Sequence, residues 1–156
     1  MALAVTALWL TSCKSPTVID SVYATRTFEV ECLGSDLDGS QTLRSWGQGK
    51  NKSQAMENAR KNAVRAVLFD GITHGGNGCD QRPVIGGVNA HEKNQVYFNR
   101  FFADGGEYKK FTSMEDEKRT SRMKSSDKSI ENWSVVVRVN RAALRQRMID
   151  DGIINP

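Results

Sequence analysis

Two stretches in the first third of the chain have the residue patterns of β-strands. The first, residues 26–33, reads RTFEVECL and turns Phe28, Val30 and Cys32 to one side and two glutamates to the other. Because successive side chains of a strand point to opposite faces, this pattern predicts a half-buried strand. A cluster rich in Gly, Asp and Ser follows, and residues 41–47 predict a second strand, so the two strands form a hairpin.

The strongest alternation lies later, where residues 130–139 read IENWSVVVRV. One face of this predicted strand carries Trp133, Val135, Val137 and Val139. Residues 141–151 have apolar positions at helical spacing and predict a closing helix. The charged segment 109–128 leaves two alternatives open, a strand or an exposed hairpin. Trp46 and Trp133 are expected to be core residues.

Between the hairpin and the late strand, residues 47–72 change to a helical period. Small apolar side chains recur at three- and four-residue spacing, at Ala55, Ala59, Ala63, Ala66 and Val67. A stripe of such small side chains allows a helix axis to lie close to a sheet. Asn51 or Ser53 is suited to cap the N-terminus of this helix, and Gly71 is expected to end it.

The middle of the chain lacks this regularity. Residues 74–87 contain five glycines and a proline and predict a loop. Residues 89–103 predict a second helix, whose aromatic side chains are Tyr97, Phe98, Phe101 and Phe102. Four aromatic residues within six positions cannot share one helix face, so these residues predict an exposed partner-binding patch.

The order of these elements predicts an α+β fold. We expect a small, mostly antiparallel sheet packed against the alanine-striped helix, with the late strand and the last helix closing the domain. Residues 26–156 have the size of one domain with its own core.

An uncharged apolar run, residues 1–10, precedes these elements, and Leu10-Thr11-Ser12-Cys13 follows it. These four residues resemble the bacterial lipobox, in which small side chains beside the cleavage site precede an acylated cysteine. The resemblance implies a removed signal peptide (residues 1–12), a lipid on Cys13 that includes palmitate, and a tether (residues 13–25). The alternative is a buried element with an incidental cysteine, and no Lys or Arg precedes the apolar run as one does in typical signal peptides.

The residues after Cys13 bear on localisation. In the sorting rule of bacterial lipoproteins an aspartate after the cysteine favours the inner membrane, whereas this chain has Lys14. Residues 14–17 also lack the acidic cluster that sends some lipoproteins to the cell surface. The resemblance therefore implies an outer-membrane anchor with the domain facing the periplasm. The net charge of +4 is scattered among many acids, so no nucleic-acid partner is expected.

Two further cysteines, Cys32 and Cys79, remain. In an oxidising periplasm they form a disulfide or stay as two buried thiols, and the disulfide is favoured because Cys79 lies in the glycine-rich loop. His74 and His91 have no partner at metal-binding or catalytic spacing, and the S-x-x-K at residues 125–128 lies in a polar run. We expect no catalytic residue, metal, cofactor or small-molecule substrate.

The hairpin, its Gly-x-Gly end and the alanine stripe resemble the N-terminal domain of the flagellar assembly protein FlgT and related envelope lipoproteins. The resemblance covers about residues 26–72 and 130–151, and residues 74–128 depart from it. It implies the same α+β fold and carries over no catalytic residue. With its lysine after the lipobox cysteine, the chain also looks like the TssQ-type accessory lipoproteins of type VI secretion systems.

These features predict a non-enzymatic, lipid-anchored accessory component of an envelope-spanning complex, with other envelope proteins as partners and the membrane contacted through the lipid. The alternative is a lipoprotein that binds peptidoglycan or another glycan. It needs a groove with aromatic platforms beside carboxylates or amides, and Trp46 or Trp133 in an open cleft would support it. A hydrolase is the third hypothesis, and it needs paired carboxylates or a nucleophile beside a base.

Overall fold

The computed structural model describes residues 30–114, 120–123 and 129–156. The predicted signal peptide, Cys13, the tether and the start of the first predicted strand lie outside the described residues. Six strands of the described chain form one sheet: β1 (Glu31–Ser35), β2 (Ser40–Gly49), β3 (His74–Gly75), β4 (Thr112–Met114), β5 (Ser121–Met123) and β6 (Glu131–Asn140).

The helices accompany this sheet in chain order. They are α1 (Lys52–Arg65), which continues into a π-helical turn (Ala66–Asp70), then α2 (Ala90–Lys93), α3 (Gln95–Phe101), a 3-10 turn (Glu107–Phe111) and α4 (Arg141–Asp150). The α+β architecture predicted from the sequence, including the closing strand and helix, is thereby confirmed.

A long antiparallel pair, β2 and β6, forms the centre of the sheet. Its register runs from Ser40 opposite Asn140 to Gly49 opposite Glu131. The strand order is β3-β1-β2-β6-β4, and β5 also pairs with β6. Only the short β1–β3 pair of the described strands is parallel. The sheet is therefore mostly antiparallel, as predicted, and β1 with β2 forms the predicted hairpin.

Helix α1 packs directly on β2 because the side chains on both facing surfaces are small. Ala55, Ala59 and Ala63 are fully buried, as the alanine stripe predicts. A Cβ atom added to Gly47 of β2 would lie 2.2 Å from the backbone nitrogen of Ala59. At the N-terminus of α1, the Asn51 side chain accepts a hydrogen bond from the backbone N–H of Gln54 at 2.9 Å.

The C-terminal end of this helix is set by Gly71. Its backbone N–H donates to the carbonyl of Ala66, and its φ of 78° lies in the left-handed region that favours glycine. A Cβ atom at Gly71 would lie 2.0 Å from the carbonyl oxygen of Gln81. The predicted stop is confirmed, although the sequence pattern did not predict the π-helical form of the last turn.

The prediction of one helix over residues 89–103 is wrong, because Asn94 divides it. The backbone N–H of Asn94 donates to His91, three residues back, while its side-chain amide donates to the carbonyl of Ala90. An asparagine side chain thus takes the acceptor that a continuing α-helix needs. The result is two short helices, α2 and α3, in place of one.

The expectation that both tryptophans are core residues is also wrong, since Trp46 and Trp133 are only partly buried. Trp46 lies three positions from the fully buried Leu43 and so points to the opposite face of β2. Trp133 lies on the helix-facing side, where Lys52 Nζ is 4.4 Å from its ring centre and Glu131 accepts from its indole N–H at 2.6 Å. In segment 109–128 the described residues form the end of the 3-10 turn, β4 and β5.

Candidate functional site: the disulfide loop and two surface grooves

A disulfide joins Cys32 of β1 to Cys79 in the loop after β3, with 5.9 Å between their Cα atoms. This agrees with the disulfide favoured from the sequence. The loop also lies against β1 through its backbone, because the N–H of Gly76 donates to the carbonyl of Cys32 at 2.9 Å. The bridge therefore fastens a glycine-rich loop to β1, the strand next to the edge strand β3.

The predicted aromatic patch is mostly a part of the core. Phe98, Phe101 and Phe102 are only 0%, 3% and 4% exposed. Phe98 meets Phe69 edge to face at 4.8 Å between ring centres, and the ring centre of Phe102 lies 5.9 Å from that of the buried Tyr108. For these three phenylalanines the expectation of an exposed surface is wrong. The physical reason is that α3 is covered on more than one side.

Tyr97 is the member of the patch that remains partly exposed. Its hydroxyl donates to Asp151 at 2.5 Å, and Arg147 pairs with Asp151 at 2.8 Å and with Glu107 at 3.0 Å. Burial, with the hydrogen bond to Asp151 as a second cause, raises the pKa of Tyr97. These residues line a groove of about 400 Å³ together with Arg100, and we call it the tyrosine groove.

A second groove, of about 450 Å³, has a different character. Its apolar lining includes Val84, Ile85, Val88, Ile153 and Ile154, and we call it the apolar groove. The charged residues that line it are Lys93 and Arg145. Val88 is 82% exposed, which is high for a large apolar side chain at the edge of a groove.

The two histidines lie in separate elements. His91 of α2 stacks on Phe98 at 5.5 Å between ring centres and meets Phe69 edge to face at 5.3 Å. Burial, and then the charge of Arg65, lowers the pKa of His91, while Glu92 acts in the opposite direction. His74 is exposed on β3, with its Nδ1 3.1 Å from the Thr73 hydroxyl.

Within residues 30–114, 120–123 and 129–156, no group of three or more His, Cys, Asp or Glu residues is arranged to hold a metal ion. No helix of the same described ranges is long and apolar enough to cross a bilayer. The S-x-x-K at residues 125–128 lies outside the described residues.

The sequence analysis missed the apolar groove. Its lining comes from the segment VIGGV at residues 84–88 and from residues 153–155, which have neither helical nor strand periodicity. The available indication was composition, because large apolar residues beside glycines in a loop have no regular element in which to be buried. Tertiary packing brings Val88 and Ile154 together in one groove, and the sequence pattern does not show this arrangement.

Comparison with known proteins gives no family assignment. No family model, no characterised protein and no solved structure matches this chain.

Proposed function

We propose that this protein is a lipid-anchored, non-enzymatic accessory component of an envelope-spanning complex, of the kind found in secretion machinery. Its domain faces the periplasm from the outer membrane, and its partners are other proteins of that complex. The lipobox-like residues ending at Cys13 supply the anchor in this proposal.

The observation that carries the proposal is the disulfide between Cys32 and Cys79. Disulfides persist in oxidising compartments such as the bacterial periplasm and are rare in the cytosol. Of the three cysteines in the chain, this pairing leaves Cys13 as the one outside the bridge. That division of roles, two cysteines for structure and one for acylation, fits a lipoprotein.

The energetics of anchoring also fit. Each buried CH₂ group of an acyl chain contributes about 0.8 kcal/mol, and one chain alone binds a membrane only marginally. A bacterial lipoprotein carries more than one chain on its N-terminal cysteine, so the attachment is stable. The domain itself then needs only to present a surface to its partners.

A glycan-binding lipoprotein is the second candidate function, and the tyrosine groove favours it. That groove places an aromatic ring, Tyr97, beside the carboxylates of Glu107 and Asp151. Both carboxylates are already paired with Arg147, which reduces what they offer to a sugar. Neither Trp46 nor Trp133 lines the tyrosine groove or the apolar groove.

The proposal is tested on the full chain in a bacterial envelope. Cells that produce the wild-type protein or Cys13→Ala are fractionated, the membranes are dissolved in mild detergent, and native electrophoresis reports the size of the complex. We expect the wild type in the outer membrane, within a high-mass complex. Cys13→Ala should be found neither in the outer membrane nor in that complex. A thiol-reactive polymer should not modify Cys32 or Cys79 unless reductant is added.

A wild-type protein found dissolved in the cytosol with reactive thiols would contradict the proposal. Binding of the purified protein to insoluble peptidoglycan, lost in Tyr97→Ala and retained in the matched Tyr108→Phe, would favour the glycan-binding alternative. Tyr108 is a suitable control because its ring is fully buried and so cannot contact a sugar.

A further inference from the structure

The apolar groove is held open by backbone hydrogen bonds on the segments that line it. Val84 and Ile85 donate their N–H groups to Val67 and Leu68 of the π-helical turn at 2.9 and 2.8 Å. After α4, the N–H of Ile153 donates to the carbonyl of Met148 at 2.8 Å. Because these bonds fix both segments, a ligand would meet a preformed groove and the cost of ordering it would be small.

The charge of this groove has one sign. Lys93 and Arg145 line it, and no carboxylate does. Neither cation forms an ion pair with any residue that the structure describes. By contrast, Arg147, two positions along α4, is paired with both Glu107 and Asp151. The apolar groove therefore has two cations available to an anionic partner.

The same surface offers backbone donors. Gly86, Gly87 and Val88 donate no backbone hydrogen bond within the described chain. An extended peptide can accept from such N–H groups while its side chains enter the groove, whereas a hydrocarbon chain cannot. The residues that line the groove include no aromatic ring, which disfavours a glycan.

We propose that the apolar groove is a docking site for one segment of a partner protein, in which apolar side chains alternate with Asp or Glu. The apolar side chains of this segment cover Val88 and enter beside Ile153 and Ile154. Its carboxylates pair with Lys93 and Arg145. This inference rests on the proposed function and names the surface and the chemistry through which the accessory protein joins its complex.

The test places a photo-crosslinking benzoylphenylalanine at Val88 of the full-length protein in its native envelope. The matched control carries it at Leu37, another highly exposed apolar residue, in the turn between β1 and β2. After irradiation, mass spectrometry identifies the crosslinked segment. We expect Val88 to attach to one protein segment that is apolar and acidic, and Leu37 not to attach to it.

Charge reversal tests the electrostatic part. Lys93→Glu with Arg145→Glu should lower the Val88 adduct about tenfold or more, since like charges across an interface are strongly unfavourable. Lys50→Glu with Lys110→Glu makes the same change in net charge outside the groove and should leave the adduct unchanged. All four side chains are exposed, and the 3.9 Å ion pair of Lys110 with Glu107 lies on the surface, where such pairs contribute little, so thermal unfolding should stay close to that of the wild type. Raising the salt concentration should weaken the adduct of the unmutated domain as well.

Three results would overturn the docking site: a Val88 adduct with lipid, an adduct with a segment that lacks acidic residues, or no Val88 adduct in a protein that still migrates in a high-mass membrane complex. In each case the proposed function survives and its contact surface lies elsewhere. A protein that is neither acylated nor part of a complex would instead refute the proposed function itself.

Discussion

At the scale of single residues, Gly47 sets the distance between the main helix and the sheet. The position where its Cβ would lie is 2.2 Å from Ala59 N and 2.3 Å from Ala55 O, both of them backbone atoms that cannot rotate away. The alanine stripe predicted a close approach from the helix side. The sequence indicates Gly47 only as the end of a strand, because it does not show which strand position faces a given helix position.

Replacing Gly47 by alanine should therefore destabilise the domain by about 2–3 kcal/mol, through overpacking against the backbone of α1. Urea unfolding followed by circular dichroism measures the change. The matched control is Gly34→Ala in β1, where an added Cβ meets nothing within 4 Å and the change should be small. Equal effects of the two substitutions would contradict the packing of α1 on β2.

His91 predicts how stability depends on pH. Its folded-state pKa lies below its ordinary value, chiefly because burial against Phe69 and Phe98 disfavours the charged ring. The stability linked to His91 is thus fully present above the ordinary histidine pKa of about 6.5. It is lost as the pH falls through that value toward the folded-state pKa.

Thermal unfolding at pH 7.5 and at pH 5 tests this directly. The ordinary histidine pKa lies between these two values, and the chain has two histidines to compare, His74 and His91. The wild type and His74→Gln should both lose stability at the lower pH. His91→Phe should lose clearly less, since its ring cannot take up a proton. A loss that persists in His91→Phe would assign the pH dependence to another group.

At the scale of elements, local side-chain chemistry explains which predictions succeeded. The start and end of α1 could be predicted because Asn51 caps it and Gly71 ends it through local interactions. The division at Asn94 was missed because an asparagine is also tolerated within helices, and its bond to the carbonyl of Ala90 depends on the local geometry. Two- and three-residue strands such as β3 and β5 have no periodicity to detect.

The disulfide belongs to this scale because it fastens the loop after β3 to β1. Cys32 and Cys79 are 47 positions apart, and on the chain-entropy model the bridge contributes about 3–4 kcal/mol to stability. Reductant should lower the denaturation midpoint of the wild type accordingly. The variant Cys32→Ala with Cys79→Ala should start near that lower midpoint and be insensitive to reductant. A wild type unaffected by reductant would mean that no bridge stabilises the domain.

At the scale of the whole molecule, the sequence predicted the fold class but not its arrangement. Alternation identified β6 and β1, and the turn cluster after β1 indicated the hairpin with β2. The ten-residue pairing of β2 with β6, however, joins segments about ninety positions apart and leaves no local pattern. The aromatic residues of α3 were also expected on the surface, whereas Phe69 of the π-helical turn contacts Phe98, and Phe111 and Tyr108 of the 3-10 turn contact Phe101 and Phe102. The grooves likewise combine distant segments: the apolar groove joins the loop at residues 84–88 to residues of α4 and the segment after it, and the tyrosine groove joins α3 and the 3-10 turn to Arg147 and Asp151.

In the proposed function, the compartment, the use of the three cysteines and the class of partner all depend on acylation of Cys13. The most direct measurement is metabolic labelling with an alkyne-tagged palmitate, followed by the intact mass of the purified full-length gene product. We expect label on the wild type, no label on Cys13→Ser, and a mature mass that lacks residues 1–12 and includes the lipid. An unlabelled wild type that retains its first twelve residues would contradict the lipoprotein proposal.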